Sequence, residues 1–215
     1  MSFEVKGHTV GQVAENSFIF HRRDSESGLI IDPGEEPERL LAGIEEMGIT
    51  KLEAILLTHC HFDHIGAVAP VAKATGAPVY CPAGEVPILQ DIMAFIPWEG
   101  FGPYESWDPE HTVKGGDRLE LAGFVIDVIS TPGPSPDHVT YAIEGEPALF
   151  SGDVLFQGSV GRTDLPGADH ETLMASIATL LDGHPDETVV YPGHMGLTTL
   201  GAERASNPFL QALAR

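Results

Sequence analysis

The chain has 215 residues, 42% of them hydrophobic, ample for one substantial core and short for two, so a single domain over residues 1–215 is expected. With 32 acidic against 11 basic side chains the net charge is −21; such a field repels nucleic-acid phosphates and anionic lipid, and no Lys/Arg cluster overrides it locally. Met1 to Lys6 shows no basic segment leading into an apolar one, and no apolar run approaches the roughly 18 to 20 residues that span a bilayer, so a soluble, cytoplasmic protein is expected, with neither nucleic acid nor membrane as partner.

Phe3 to Val10, Phe18 to Phe20 and Leu29 to Ile31 read as short strands, the last ended by the turn Asp32-Pro33-Gly34. Leu40, Leu41, Ile44 and Met47 recur at helical spacing with Glu38, Glu45 and Glu46 opposite, and Gly48 marks the stop. Ala54 to Leu57 is an apolar strand running directly into His59. A helix from Ile65 to Thr75, a strand from Pro78 to Cys81 and a helix around Glu85 to Ala94 follow. Pro97 to Pro109 sets Trp98, Phe101, Tyr104 and Trp107 among Pro and Gly, which predicts a loop whose rings either flank a pocket or cover the core edge. Strands are expected at Asp117 to Leu121, Phe124 to Ser130, Thr140 to Ile143 and Ala148 to Ser151. Asp169 then caps a helix with the stripe Leu173, Ile177, Leu180 and Leu181, before a strand at Thr188 to Tyr191 and a helical segment from about Thr198. Two halves, each of strands followed by helices, predict an α+β fold: a sandwich of two mixed sheets with helices outside.

Three His and one Asp fall within the six residues His59-x-His61-x-Asp63-His64. Imidazole and carboxylate are the donors that bind zinc, iron or manganese. At a strand end His59 and His61 point to one side and Cys60 to the other, where it packs. Asp63 and His64 follow as the chain turns toward a helix and can serve a second metal beside the first. A polar loop with scattered histidines would not place these residues in alternating register after a buried strand. Cys60 and Cys81 are too few for a disulfide framework and are read as thiols.

His-x-His-x-Asp-His resembles the signature of the metallo-β-lactamase superfamily, whose fold is a four-layer αββα sandwich. Ser151-Gly152-Asp153 is similar to its Gly-Asp element, and Tyr191-Pro192-Gly193-His194 to the element carrying its last His. Gly161 to Gly167, with Glu203-Arg204 and Asn207 to Leu210, resembles the small bacterial glyoxalase II-like hydrolases. The resemblance implies two divalent ions, zinc before iron or manganese. One would be held by His59, His61 and a shared Asp153, the other by Asp63, His64, Asp153 and His194. It also implies a departure. The family loop that usually reads Thr-Pro-Gly-His reads Thr131-Pro132-Gly133-Pro134 here, so a further ligand of the first metal is missing and that site is expected to be weaker. His138, four residues on, is either a substitute ligand or a hydrogen-bonding residue.

Such a site suits hydrolysis, because a divalent metal lowers the pKa of bound water from about 15.7 toward about 7 and polarises a carbonyl. Hydroxide held by the metal would be the nucleophile, oriented by Asp63 as ligand and proton acceptor. A thioester leaves as a thiolate of parent pKa near 8.5 and needs little help with proton delivery. That chemistry and the resemblance together imply S-lactoylglutathione or a related acylated thiol as substrate. Arg162 either meets a substrate carboxylate or pairs with Asp164. The rival readings are a persulfide dioxygenase-like iron enzyme and a metal-binding protein whose catalysis is impaired at Pro134.

Overall fold

The computed structural model describes residues 3–212. Strands β1 (Phe3–Val10), β2 (Glu15–Arg22) and β3 (Ser27–Ile31) run antiparallel in sequence order. Helix α1 (Pro37–Glu46) then crosses over to β4 (Lys51–Leu56), which pairs parallel with β3. Short α2 (Phe62–Ile65) and α3 (Val68–Thr75) lead to β5 (Val79–Pro82), and α4 (Val86–Gln90) lies on the way to β6 (His111–Val113), both strands again parallel. Parallel neighbours cannot be joined by a tight hairpin, which is why helices occupy these connections.

The second sheet begins with the antiparallel run β7 (Arg118–Leu121), β8 (Phe124–Ser130), β9 (Val139–Ile143) and β10 (Ala148–Gly152). After a small hairpin, β11 (Leu155–Phe156) and β12 (Ser159–Val160), and helix α5 (His170–Gly183), strand β13 (Val189–Pro192) pairs parallel with β10. β14 (Thr198–Thr199) completes the order β14-β13-β10-β9-β8-β7, and α6 (Leu200–Ser206) follows.

Alternation along the strands sorts side chains into layers. Ile30 and Ile55 face outward to a cluster with Leu40 and Ile44 of α1 and Val68 and Val71 of α3. Their neighbours Leu29, Ile31, Ala54 and Leu56 face the other sheet. On that sheet Phe150 and Tyr191 point inward, while Leu149 and Val190 meet Leu173, Ile177 and Leu180 of α5. Two sheets with three such cores make the four-layer αββα sandwich expected from sequence. Aromatic rings fill the central layer, Phe150 stacking between Phe20 and Tyr191 at 4.8 Å from each.

Several elements differ from the sequence reading. β2 starts at Glu15, three residues before Phe18, because Glu15, Asn16 and Ser17 are buried although polar and break the apolar pattern. The helix expected from Ile65 begins at Phe62 and is interrupted at Gly66 and Ala67. The segment Glu85 to Ala94 is divided by Asp91, whose φ of −148° and ψ of 61° are not helical. β6, β14 and the β11/β12 hairpin are two or three residues long, too short to carry a period. Asp169 caps α5 as expected, its carboxylate accepting from the Thr172 N–H at 2.8 Å. Among the described residues no helix is long and apolar enough to cross a membrane.

Candidate metal centre

His59, Asp153 and His194 each lie just past the C-terminal end of a strand, β4, β10 and β13 respectively, so both sheets deliver side chains to one end of the sandwich. The sheets meet closely there: the Tyr141 hydroxyl donates to the Leu57 carbonyl at 2.7 Å and the Val139 N–H to the Thr58 carbonyl at 2.9 Å. Two glycines permit the approach. A Cβ on Gly152, which is in the left-handed region at φ 47°, would lie 2.4 Å from Thr58 Oγ1, and one on Gly193 would lie 2.4 Å from Asp153 Oδ1.

The donors form two groups. His59 Nε2 lies 3.0 Å from His61 Nδ1 and 4.0 Å from Asp153 Oδ2. His194 Nε2 lies 3.3 Å from Asp63 Oδ2, His64 Nε2 lies 3.7 Å from the same oxygen, and both imidazoles face Asp153 Oδ1, at 3.7 and 3.4 Å. Within each of the sets His59/His61/Asp153 and Asp63/His64/His194 the donor atoms lie within 4.8 Å of one another. Asp153 thus turns one oxygen to each group. His64 Nε2 and Asp153 Oδ1 are buried without a hydrogen-bond partner, as is expected of atoms reserved for an ion. Geometry and donor chemistry both fit divalent cations.

Electrostatics agree. Burial opposes charge on His64, yet the Asp153 and Asp63 carboxylates outweigh it and hold its pKa well above the ordinary value. Burial likewise opposes charge on Asp153, but His64 and His194 outweigh it and keep this carboxyl below the usual range. His59, buried among the imidazoles of His64 and His61, is pushed well down and stays neutral with a lone pair to offer. Carboxylates facing imidazoles that carry a proton form a site where a cation can displace that proton.

The chain matches the metallo-beta-lactamase superfamily over residues 10–194, a span that holds all six of these donors. It belongs to that superfamily. Among the proteins it resembles are the probable metallo-hydrolase YqgX of Bacillus subtilis, 39% identical with 95% of this chain and 96% of that one covered, and the hydroxyacylglutathione hydrolase GloC of Haemophilus influenzae, 36% identical with 88% and 90% covered. Similar solved structures are BLEG-1 B3 metallo-beta-lactamase, 40% identical with TM-score 0.90 over 96% of this chain and 99% of that one, and TTHA1623 in a di-iron-bound form, 44% identical with TM-score 0.85 over 95% and 100%.

Around these six side chains lies a layer of partners that the sequence did not reveal. Asp32, read only as part of a turn, is buried at φ 48° and gathers three donors. Its Oδ1 accepts from the Thr58 N–H at 2.7 Å, and its Oδ2 accepts from the Thr58 hydroxyl at 2.6 Å and faces His64 Nδ1 at 3.1 Å. Thr58 Oγ1 in turn faces His59 Nδ1 at 3.0 Å. With Nδ1 of both rings engaged, Nε2 is left as the donor atom on each. Asp32→Asn leaves those three donors facing one acceptor oxygen. We expect metal affinity to fall about 10- to 100-fold, measured by chelator competition with circular dichroism confirming the fold; unchanged affinity would remove Asp32 from this role.

Glu85, also buried, accepts from the Cys60 N–H at 3.2 Å and the Asp137 N–H at 3.4 Å, tying the ligand loop to the loop that carries Pro134. His138 is fully buried and hydrogen-bonded at both ring nitrogens: Nε2 accepts from the Asp153 N–H at 3.1 Å and Nδ1 faces Thr131 Oγ1 at 3.1 Å. Burial takes its pKa down to about 3, so the ring is neutral. The hydrogen-bonding alternative is therefore what the geometry contains, and the substitute-ligand alternative has no lone pair left. Pro134 is buried, with Cγ only 3.2 Å from the position of a Cβ on Gly161. Cys60 and Cys81 are buried thiols with sulfurs 3.5 Å apart.

The centre opens into a cavity of about 620 Å³ lined by His61, Asp63, Asp153 and His194 on one side. The aromatic loop divides between its two expected roles. Trp98 lines the cavity and packs edge-on against Phe62 at 5.9 Å, whereas Phe101, Tyr104 and Trp107 cover the core edge. Arg162 is at the cavity wall, bound through Nε and Nη2 to both Asp164 oxygens at 2.7 and 2.8 Å, with its guanidinium 5.1 Å from the Trp98 ring centroid.

Proposed function

We propose that this chain hydrolyses thioesters, S-lactoylglutathione or a related acylated thiol, at a centre of two divalent metals. The observation that carries this reading is the Asp153 carboxylate, divided between two donor groups and facing a cavity. Divalent cations held there would lower the pKa of water and polarise a carbonyl. Zinc is the expected ion, with iron or manganese as the alternatives; the di-iron form of TTHA1623 favours testing iron. The GloC relative, by its name a hydroxyacylglutathione hydrolase, supports the thioester over other acyl groups.

His59, His61 and Asp153 would hold one ion, and Asp63, His64, His194 and Asp153 the other. Asp63 lines the cavity beside His61, Asp153 and His194, where its carboxylate would orient a water and accept its proton. A C–O bond forms from water as the C–S bond breaks, giving a carboxylate, a thiol and a proton. The leaving thiolate needs no dedicated acid. Cavity walls of Phe156, Val160 and Leu165 exclude bulk water and strengthen each electrostatic contact at the carbonyl.

The test is elemental analysis of protein purified without added metal, together with thioester turnover before and after chelation. We expect about two metals per chain under metal-replete conditions, turnover lost with chelator, and recovery on adding zinc or iron back. Absence of thioester hydrolysis in the replete protein, or hydrolysis indifferent to chelator, would overturn the reading. Oxygen uptake with a persulfide, confined to iron-loaded protein, would replace it with the dioxygenase-like alternative.

A further inference from the structure

Large hydrophobic side chains exposed to solvent are concentrated at one place. Of the six such residues among those described, Phe95 at 52% exposure, Trp98 at 41% and Met195 at 57% all line the mouth of the cavity that opens from the metal centre. Three exposed apolar side chains lining one cavity on a protein of this acidity are a binding feature, since side chains exposed at random would not gather at a single cavity. Met195 follows the donor His194 directly and is held at φ 67°, a left-handed conformation unusual for a residue with a side chain. Ile88, Phe156 and Leu165, less exposed, line the same cavity.

The charges of the same cavity point the same way. Among the described residues lining it, Arg162 is the only Lys or Arg, and both its Nε and Nη2 are spent on Asp164 while its face lies over Trp98. The chain carries 32 acidic groups against 11 basic ones. Glutathione has a carboxylate at each end of a polar tripeptide, and this wall offers no second cation to receive one.

We propose that the preferred substrate is a thioester whose body is apolar and uncharged, selected by Phe95, Trp98 and Met195, in place of a conjugate of a charged peptidic thiol. The proposal rests on the thioester-hydrolase reading above and narrows its substrate class. Each buried methylene raises affinity about fourfold, so a phenylacetyl group in place of a lactoyl group is worth at least about tenfold when it seats on these rings.

Metal-replete enzyme is assayed with four thioesters that pair lactoyl or phenylacetyl with glutathione or the neutral thiol N-acetylcysteamine. The expected result is a kcat/KM at least about tenfold higher for phenylacetyl than for lactoyl on either thiol, expressed mainly in KM, with N-acetylcysteamine no worse than glutathione. Trp98→Ala and Phe95→Ala, at exposed positions where folding is not at stake, each reduce that phenylacetyl-to-lactoyl ratio severalfold. A tenfold preference for S-lactoylglutathione, or variants that alter all four substrates equally, overturns the proposal while leaving thioester hydrolysis intact. If none of the four is hydrolysed, the thioester reading fails by itself, and calorimetric titration with two uncleavable thioethers decides the cavity's chemistry. Tighter binding of S-benzyl-N-acetylcysteamine than of S-methylglutathione supports an apolar ligand, and equal or reversed affinity overturns it.

Discussion

Asp153→Ala is expected to leave the purified protein with less than one metal per chain and to reduce thioester turnover about a thousandfold. The reason lies in the division of its oxygens, Oδ2 toward His59 at 4.0 Å and Oδ1 toward His64 and His194 at 3.4 and 3.7 Å. Losing even an outer partner of a metal ligand costs about 10- to 100-fold in affinity, and here one substitution removes a direct donor from two positions at once. No neighbouring group replaces it, because His138 Nε2 already accepts the Asp153 N–H. That backbone bond survives the substitution, so the loop keeps its anchor. Asp153→Asn controls for shape: it preserves the volume but offers one acceptor oxygen, and it should empty one position more than the other. Elemental analysis and chelator competition on the variants provide the measurement. Two tightly held metals in Asp153→Ala would mean that the carboxylate is not shared.

The contrast between donors and partners explains what was legible in sequence. His59, His61, Asp63 and His64 are encoded within six residues, and strand alternation alone sends His59 and His61 to one side. The α5 cap at Asp169 and the apolar stripes of α1 and α5 are equally local, and the structure contains them where the sequence places them. Asp32 is different. Its partner Thr58 is 26 positions away and its other partner, His64, is 32 away, so its role exists only once β3 and β4 pair in parallel register. Glu85 bridges to Asp137 across 52 positions and falls in a segment that reads as an ordinary helix start. The polar run Glu15-Asn16-Ser17 escaped notice as strand for the same reason. Asn16 Nδ2 donates to the carbonyls of Pro192, at the end of β13 in the far sheet, and Met195, just past it, at 3.1 and 2.9 Å, and nothing in the local pattern announces that use.

These tertiary partners also determine what an altered ligand loop can do. Glu85 holds the Cys60 and Asp137 N–H groups, and the Gly84 N–H donates back to Asp137 Oδ2 at 2.5 Å. The Gly133 N–H bonds the Ser135 carbonyl at 3.1 Å, closing a tight turn around Pro134, and the Ser135 hydroxyl beside it is buried at the cavity without a protein partner. The loop carrying position 134 is therefore clamped to the loop carrying His59 and His61 and is not free to drift from it.

Pro134→His is expected to raise affinity for the metal shared by His59, His61 and Asp153 and to increase thioester turnover, most at limiting metal. Proline offers no donor, so in the proposed centre the group of His59, His61 and Asp153 counts three donors, against four for Asp63, His64, His194 and Asp153. A direct imidazole ligand should contribute no less than the roughly 10- to 100-fold that an outer partner contributes. Two effects oppose the gain. Removing a proline frees the unfolded chain and costs about 0.4 to 1 kcal/mol, while the larger imidazole must turn away from Gly161, beside which Pro134 Cγ now lies. The first is small beside a factor of ten, about 1.4 kcal/mol. The second is eased because the new side chain has rotatable bonds that the pyrrolidine ring lacks. Metal stoichiometry at graded chelator and turnover of one thioester, measured on both proteins side by side, decide the matter. Equal affinities would mean that position 134 faces Gly161 in both proteins and that the three-donor site is complete as it stands, for the His138 ring has no free nitrogen with which to fill the gap.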